Sequence, residues 1–219
     1  MGIVFAKLSG ILTFLPIVLA LYLYYRNGSD LKLRILVSIF IFWGFIESII
    51  LYLSNNKINN HFWLNINCII TTILFLIYYF VLNEFNRRML YCSLGLYSSF
   101  SLMWFCFYGS LLDWAIPYII ISNIILIALS AYSLMQLINR EQEDLFGFYE
   151  FWIHAGVLVY FTGSILYLSI FRIMLKSNDF TFNSNLQDVH SIINSIGNLL
   201  YTIAFICLIR NYKRKYILQ

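Results

Sequence analysis

Charge is scarce in this chain of 219 residues, since Asp, Glu, Lys and Arg together make up only 11% of it. A soluble domain carries about 25% of charged residues, so this composition cannot cover a water-facing surface. Proline and cysteine are also few, with two and four residues, and no two cysteines form a C-x-x-C pair. We therefore interpret the cysteines as inert thiols and exclude a soluble fold.

Catalytic and cofactor motifs are missing as well. Residues 186–209, the last apolar run, contain no Lys, which excludes a retinal Schiff base in this segment. The chain has no G-x-S-x-G, H-E-x-x-H or Walker sequence. His61, Asp188 and His190 lack the spacing that places metal ligands on one helix face. We predict no enzyme activity, no cofactor and no resident metal.

Long apolar runs dominate what is present, because 61% of the residues are hydrophobic. A run of about 20 residues crosses the hydrocarbon core as a helix. The sequence contains seven such runs: Ile3–Tyr25, Ile35–Leu53, Phe62–Leu82, Met89–Gly109, Trp114–Gln136, Phe151–Leu175 and Leu186–Ile209. We predict an all-α polytopic membrane protein, with residues 1–219 forming a single transmembrane domain in the lipid bilayer.

The basic residues predict the orientation. With the N-terminus outside, ten Lys and Arg residues lie on the inner side: Arg26, Lys32, Arg34, Arg87, Arg88, Arg140, Arg210, Lys213, Arg214 and Lys215. Four lie on the outer side: Lys7, Lys57, Arg172 and Lys176. This asymmetry follows the positive-inside rule and predicts an N-out, C-in topology. It accounts for the net charge of +4, so no nucleic-acid partner is expected.

Short matches indicate a duplicated unit. The sequences "SIILYLS" (48–54) and "SILYLS" (164–169) lie in the second and sixth runs. "NCIIT" in the third run and "NLLYT" in the seventh place Asn67 with Thr71, and Asn198 with Thr202, one helical turn apart. These matches predict parallel repeats over 1–85 and 112–212 with a linker helix at 89–109. Chance matching in an isoleucine-rich chain is the alternative.

The matched runs resemble the SWEET and PQ-loop membrane proteins, which have two three-helix bundles around a linker helix, N-out and C-in. The resemblance implies a solute site near the midplane between the bundles, with Asn67 and Asn198 facing the substrate. The chain departs from the PQ-loop pattern because Pro16 is followed by Ile17 and Pro117 by Tyr118.

Two other stretches, "FWIHAGVLVYFTGSILYLSI" and "INSIGNLLYTIAF", carry a second resemblance. They look like seven-helix membrane proteins of Bacteroidota that are coupled to signalling systems. This resemblance implies a bacterial cytoplasmic (inner) membrane location.

Glu47 is the clearest polar candidate inside a run, because an acidic group at the bilayer centre costs about 2.5–3.5 kcal/mol on insertion scales. It is predicted to bind a cation or amine or to carry a proton. The structural alternative is that it is protonated or paired with Arg172. We predict a ligand site from Glu47, Arg172 and the two Asn–Thr pairs. His154 near the inner end of the sixth run is a candidate proton relay, with an ordinary hydrogen-bonded histidine as the alternative.

Three functional hypotheses remain from the sequence. The first is a sensory or signalling membrane protein that binds a small polar solute in an outward-facing pocket. Such a protein would reach a cytoplasmic partner through Arg210, Lys213, Arg214 and Lys215. The second is a SWEET-like transporter of small solutes, in which the two bundles rock against each other. An oligomeric pore is the third.

Overall fold

Seven long α-helices make up the described part of the chain. The structure, a computed structural model, describes residues 2–27, 30–83, 86–140, 145–174 and 180–217. The helices are α1 (Gly2–Asn27), α2 (Leu31–Asn55), α3 (His61–Leu82), α4 (Arg87–Phe107), α5 (Ile116–Asn139), α6 (Tyr149–Met174) and α7 (Phe180–Ile217). Each contains a stretch long and apolar enough to cross a bilayer. The predicted all-α membrane protein with seven spans is confirmed; its orientation stays a prediction.

Polar side chains determine where several helices begin. The Asp30 carboxylate accepts a hydrogen bond from the Lys32 backbone N–H at 3.0 Å, and α2 therefore starts four residues before the predicted apolar run. The Asn86 side chain caps α4 in the same way, by accepting from the Arg88 N–H at 3.0 Å. These oxygens replace partners that the first turn of a helix lacks.

The two prolines occupy different positions in their helices. Pro117 is the second residue of α5, in the first turn, where no intrahelical hydrogen bond depends on its missing N–H. Pro16 lies inside α1, where the ring removes one bond of the helical ladder. The two prolines therefore do not occupy equivalent helix positions.

The chain divides into two compact units. Unit 1 contains Met1–Arg26 and Ile127–Gln219, which includes α1, the second half of α5, α6 and α7. Unit 2 is the continuous segment Asn27–Leu126, with α2, α3, α4 and the first half of α5. The units group α1 with α6 and α7, whereas the predicted repeats group α1 with α2 and α3. The internal repeat stays a prediction.

Glycines bring α6 and α7 of unit 1 close together. A Cβ atom at Gly156 would lie 2.5 Å from Cε1 of Tyr201, and one at Gly163 would collide with the side chain of Ile193. On α7, a Cβ at Gly197 would lie 3.2 Å from Cβ of Tyr160. In a bilayer, where the hydrophobic effect does not drive helices together, such close approach provides van der Waals packing. Gly156, Gly163 and Gly197 therefore act as packing residues between α6 and α7.

Candidate functional site

Glu47 lies on the buried face of α2, within unit 2. The buried side chains of this helix recur every three or four residues along one face: Leu33, Leu36, Phe40 and Trp43. Glu47 follows Trp43 by four residues, so it continues that face and is itself half-buried. Phe45, on the opposite face, is 62% exposed. The register therefore turns the carboxylate toward the packed side of α2.

Asn67 and Thr71 lie at a similar level on the neighbouring helix. Glu47 precedes the end of α2 by eight residues, about 12 Å at 1.5 Å per residue. On α3, which packs against α2, Asn67 is about 9 Å and Thr71 about 15 Å from the start of the helix. The Thr71 hydroxyl donates to Asn67 Oδ1 at 3.1 Å. The α2–α3 hairpin thus brings three of the predicted ligand residues to one level.

The polar atoms of this level are incompletely bonded. Within the described ranges no group hydrogen-bonds to the Glu47 carboxylate, and the Asn67 side-chain N–H groups donate to none of the described residues. Buried carboxylates and amides are normally bonded. A carboxylate acceptor and an amide donor on adjacent helices are therefore available to a small polar molecule.

A second polar group lies on another face of α3 and was not anticipated from the sequence. We refer to it as the hydroxyl cluster: Cys68, Thr72, Tyr97, Ser101, Tyr118 and Ser122. Tyr118 donates to the Tyr97 hydroxyl at 2.7 Å, and the Tyr97 and Ser122 oxygens are 3.0 Å apart. The Ser101 oxygen lies 2.6 Å from the Tyr118 hydroxyl. The cluster joins α3, α4 and α5 inside unit 2.

The α3 members of the cluster complete it. The Thr72 hydroxyl donates to the Cys68 carbonyl at 2.8 Å, and the side chains of Cys68 and Thr72 lie beside Ser122 and Tyr97. The rings of Phe100 and Phe105 pack on Tyr118, with centroids 5.7 and 5.0 Å away. In the sequence, the hydroxyl cluster is visible only as hydroxyl residues spaced within apolar runs. That spacing does not show that α3, α4 and α5 meet at these residues.

In unit 1, Asn198 and Thr202 belong to a brace between α1 and α7. The Asn198 amide donates to Thr13 Oγ1 at 3.1 Å and to Asn194 Oδ1 at 3.0 Å, and Asn194 donates to Ser9 Oγ at 2.8 Å. The Thr202 hydroxyl donates to the Asn198 carbonyl at 2.7 Å. The Asn198 side-chain nitrogen therefore makes one bond across to α1 and one within α7. Its predicted contact with a solute stays a prediction.

His154 is buried near the start of α6, with 1% of its surface exposed. Its backbone carbonyl accepts a hydrogen bond from the Ser130 hydroxyl of α5 at 2.9 Å. The proton-relay role stays a prediction. The side chains of Arg172, Lys213, Arg214 and Lys215 lie outside those that the structure describes, whereas Arg210 is exposed.

His61 and His190 each stack on an aromatic ring. His61 stacks on Trp114 at 5.7 Å between ring centroids, and His190 stacks on Tyr167 at 4.4 Å. Across the described residues no three His, Cys, Asp or Glu side chains are grouped as metal ligands would be.

The segment before α6 is bound to α7. Its Phe146 carbonyl accepts from the Trp152 indole N–H at 2.8 Å and from the Cys207 thiol at 3.8 Å. The Asn211 amide donates to the Gly147 carbonyl at 3.3 Å. Movement of α7 would therefore be transmitted to this segment.

Comparisons of the chain with protein families, curated proteins and solved structures find no match.

Proposed function

We propose that this integral membrane protein is a sensor that binds a small cationic or amine solute in unit 2. The position of Glu47 carries the proposal. Its carboxylate lies on the buried face of a membrane helix, level with Asn67 and Thr71. An acidic group in a membrane span almost always faces the bundle interior or a wet cavity. Such a group is therefore a candidate for a functional site.

The chemistry of the three side chains favours a cation over an anion. With a cation bound, the ionised Glu47 carboxylate supplies a negative charge in a region of low dielectric constant, where attraction to a cation is stronger than in water. Asn67 adds two N–H donors that suit a hydroxyl or carbonyl oxygen on the same solute. A small ammonium compound with one further polar group satisfies both.

The output of the sensor is assigned to unit 1. There α7 holds the segment at Phe146 and Gly147 through Cys207 and Asn211. On the predicted N-out, C-in topology this segment and exposed Arg210 face the cytoplasm, where a signalling partner would bind. The bacterial inner membrane is the proposed location.

Transport is the second candidate, and the resemblance to the SWEET proteins at Asn67 and Asn198 favours it. Alternating access in secondary transporters is largely the movement of one bundle against another. Counterflow of labelled methylammonium in proteoliposomes distinguishes the two functions. Binding without counterflow supports the sensor, and counterflow that Glu47→Gln abolishes supports the transporter.

Purified protein tests the site directly. Methylammonium, choline and ethanolamine are titrated while thermal unfolding and tryptophan fluorescence are followed. We expect at least one of them to stabilise the wild type, and Glu47→Gln to weaken its binding ten-fold or more because the charge is lost. Glu150→Gln, in the first turn of α6, is the matched control and should bind like the wild type. Equal binding by Glu47→Gln would refute the assignment.

A further inference from the structure

We infer that residues 108–115, which connect α4 to α5, form a strap that controls access to the polar interior of unit 2, and that Asn65 is its latch. We refer to this segment as the α4–α5 strap. The inference rests on the proposed function only in that the solute must pass the strap. The contacts described below carry the latch itself.

Asn65 is fully buried near the start of α3, and its side-chain amide hydrogen-bonds to the backbone of the strap. Its side-chain nitrogen donates to the Leu111 carbonyl at 3.0 Å and to the Asp113 carbonyl at 2.6 Å. Its Oδ1 accepts from the Ala115 backbone N–H at 3.4 Å. One side chain thus bonds three backbone groups of a single connecting segment.

A second contact lies one helical turn away. His61, the first residue of α3, stacks on Trp114 of the strap, with ring centroids 5.7 Å apart and planes at 22°. By contrast, Tyr108 and Leu112 are 74% and 66% exposed. The strap is therefore held to α3 largely through Asn65 and His61. Elements with few buried apolar contacts open at a low free-energy cost, and we expect the same of the strap.

The residues of α3 that contact the strap lie within two turns of the polar residues of unit 2. Cys68 follows Asn65 by three residues on the same face of α3, about 4.5 Å further into the span. It belongs to the hydroxyl cluster. Asn67 lies on a different face of α3, about 3 Å beyond Asn65 along the axis. Release of the Asn65 bonds would open the end of α3 at which both polar groups begin.

Replacement of Asn65 by Leu tests the latch in detergent-solubilised full-length protein. Leu has a similar size but cannot bond the strap, so we expect hydrogen exchange of the strap amides to accelerate at least ten-fold. Asn65→Asp should behave alike, because a carboxylate cannot donate to the Leu111 and Asp113 carbonyls. Asn194→Leu removes a part-buried amide bond of unit 1 and is the matched control.

Access is measured with the native thiol of Cys68. The other cysteines are replaced by serine, and the reagent is the cationic thiol probe trimethylammonium-ethyl methanethiosulfonate. We expect Asn65→Leu to raise the labelling rate of Cys68 ten-fold or more, with exchange in α6 and α7 unchanged. If Asn65→Leu fails to fold, His61→Ala removes the stacking contact instead and should raise both rates by a smaller factor.

Two results would overturn the inference. Unchanged exchange of the strap amides would show that Asn65 is not a latch, and faster exchange without faster labelling would show that the strap covers nothing. No solute is used in either measurement. Failure of the amine titration would therefore refute the proposed ligand while the strap is judged by its own data.

Discussion

Gly156→Ala should destabilise unit 1, because the added methyl group has no room. Its Cβ would lie 2.5 Å from Cε1 and 2.8 Å from Cδ1 of Tyr201. Tyr201 has no exposed surface, so the ring has little freedom to withdraw. Overpacking costs about 1–3 kcal/mol, and this contact belongs at the upper end of that range. The higher helix propensity of Ala returns about 1 kcal/mol, which leaves a net loss of about 2 kcal/mol.

Gly95→Ala is the matched control, since a Cβ at Gly95 meets nothing within 4 Å. It should be neutral or stabilising by up to about 1 kcal/mol, so the two variants should differ by about 3 kcal/mol. Unfolding in mixed detergent micelles with increasing dodecyl sulfate, followed by tryptophan fluorescence, gives both free energies. In a Tyr201→Leu background the cost of Gly156→Ala should fall, because the colliding aromatic atoms are gone. If Gly156→Ala is as stable as Gly95→Ala, the steric explanation is wrong.

Two further variants test the hydrogen-bond networks by the same unfolding assay. Tyr97→Phe removes the hydroxyl that bonds to Tyr118 and Ser122 and should lower the free energy of unfolding by about 1–2 kcal/mol. The control Tyr91→Phe, at an exposed position of α4, should leave it almost unchanged. Equal losses in the two variants would contradict a stabilising role for the hydroxyl cluster. Asn198→Leu removes the bond to Thr13 and should cost about 0.6–1.7 kcal/mol; an unchanged free energy would show that the α1–α7 brace contributes no stability.

The proposed function and the strap depend on one region, the part of unit 2 where α3 begins. Asn65, Asn67 and Cys68 lie within four residues of each other on α3. Asn65 bonds the strap, Asn67 lies level with Glu47, and Cys68 joins the hydroxyl cluster. A single turn of α3 therefore contacts the α4–α5 strap, carries a residue of the proposed ligand site and packs against α4 and α5.

Several features could be predicted because they follow from local chemistry. Run length and hydropathy depend on composition alone, so the seven spans were recognisable without knowledge of their packing. Glu47 was identified because a carboxylate inside an apolar run is costly wherever the neighbouring helices lie.

Only the tertiary structure decided which polar residues meet. Asn65, Asn67 and Asn198 are equivalent in sequence, as amides within apolar runs, but Asn65 bonds the α4–α5 strap, Asn67 accepts from Thr71, and Asn198 braces α1. Tyr97 and Tyr118 are ordinary aromatic residues until α4 and α5 bring their hydroxyls to 2.7 Å. The amino-acid sequence by itself determined that the chain lies in a membrane as seven helices, because the cost of burying backbone and charge in lipid depends on each segment alone. Which side chains bond between helices depends on the rotation and register of each helix, and these follow from the packing of the whole unit.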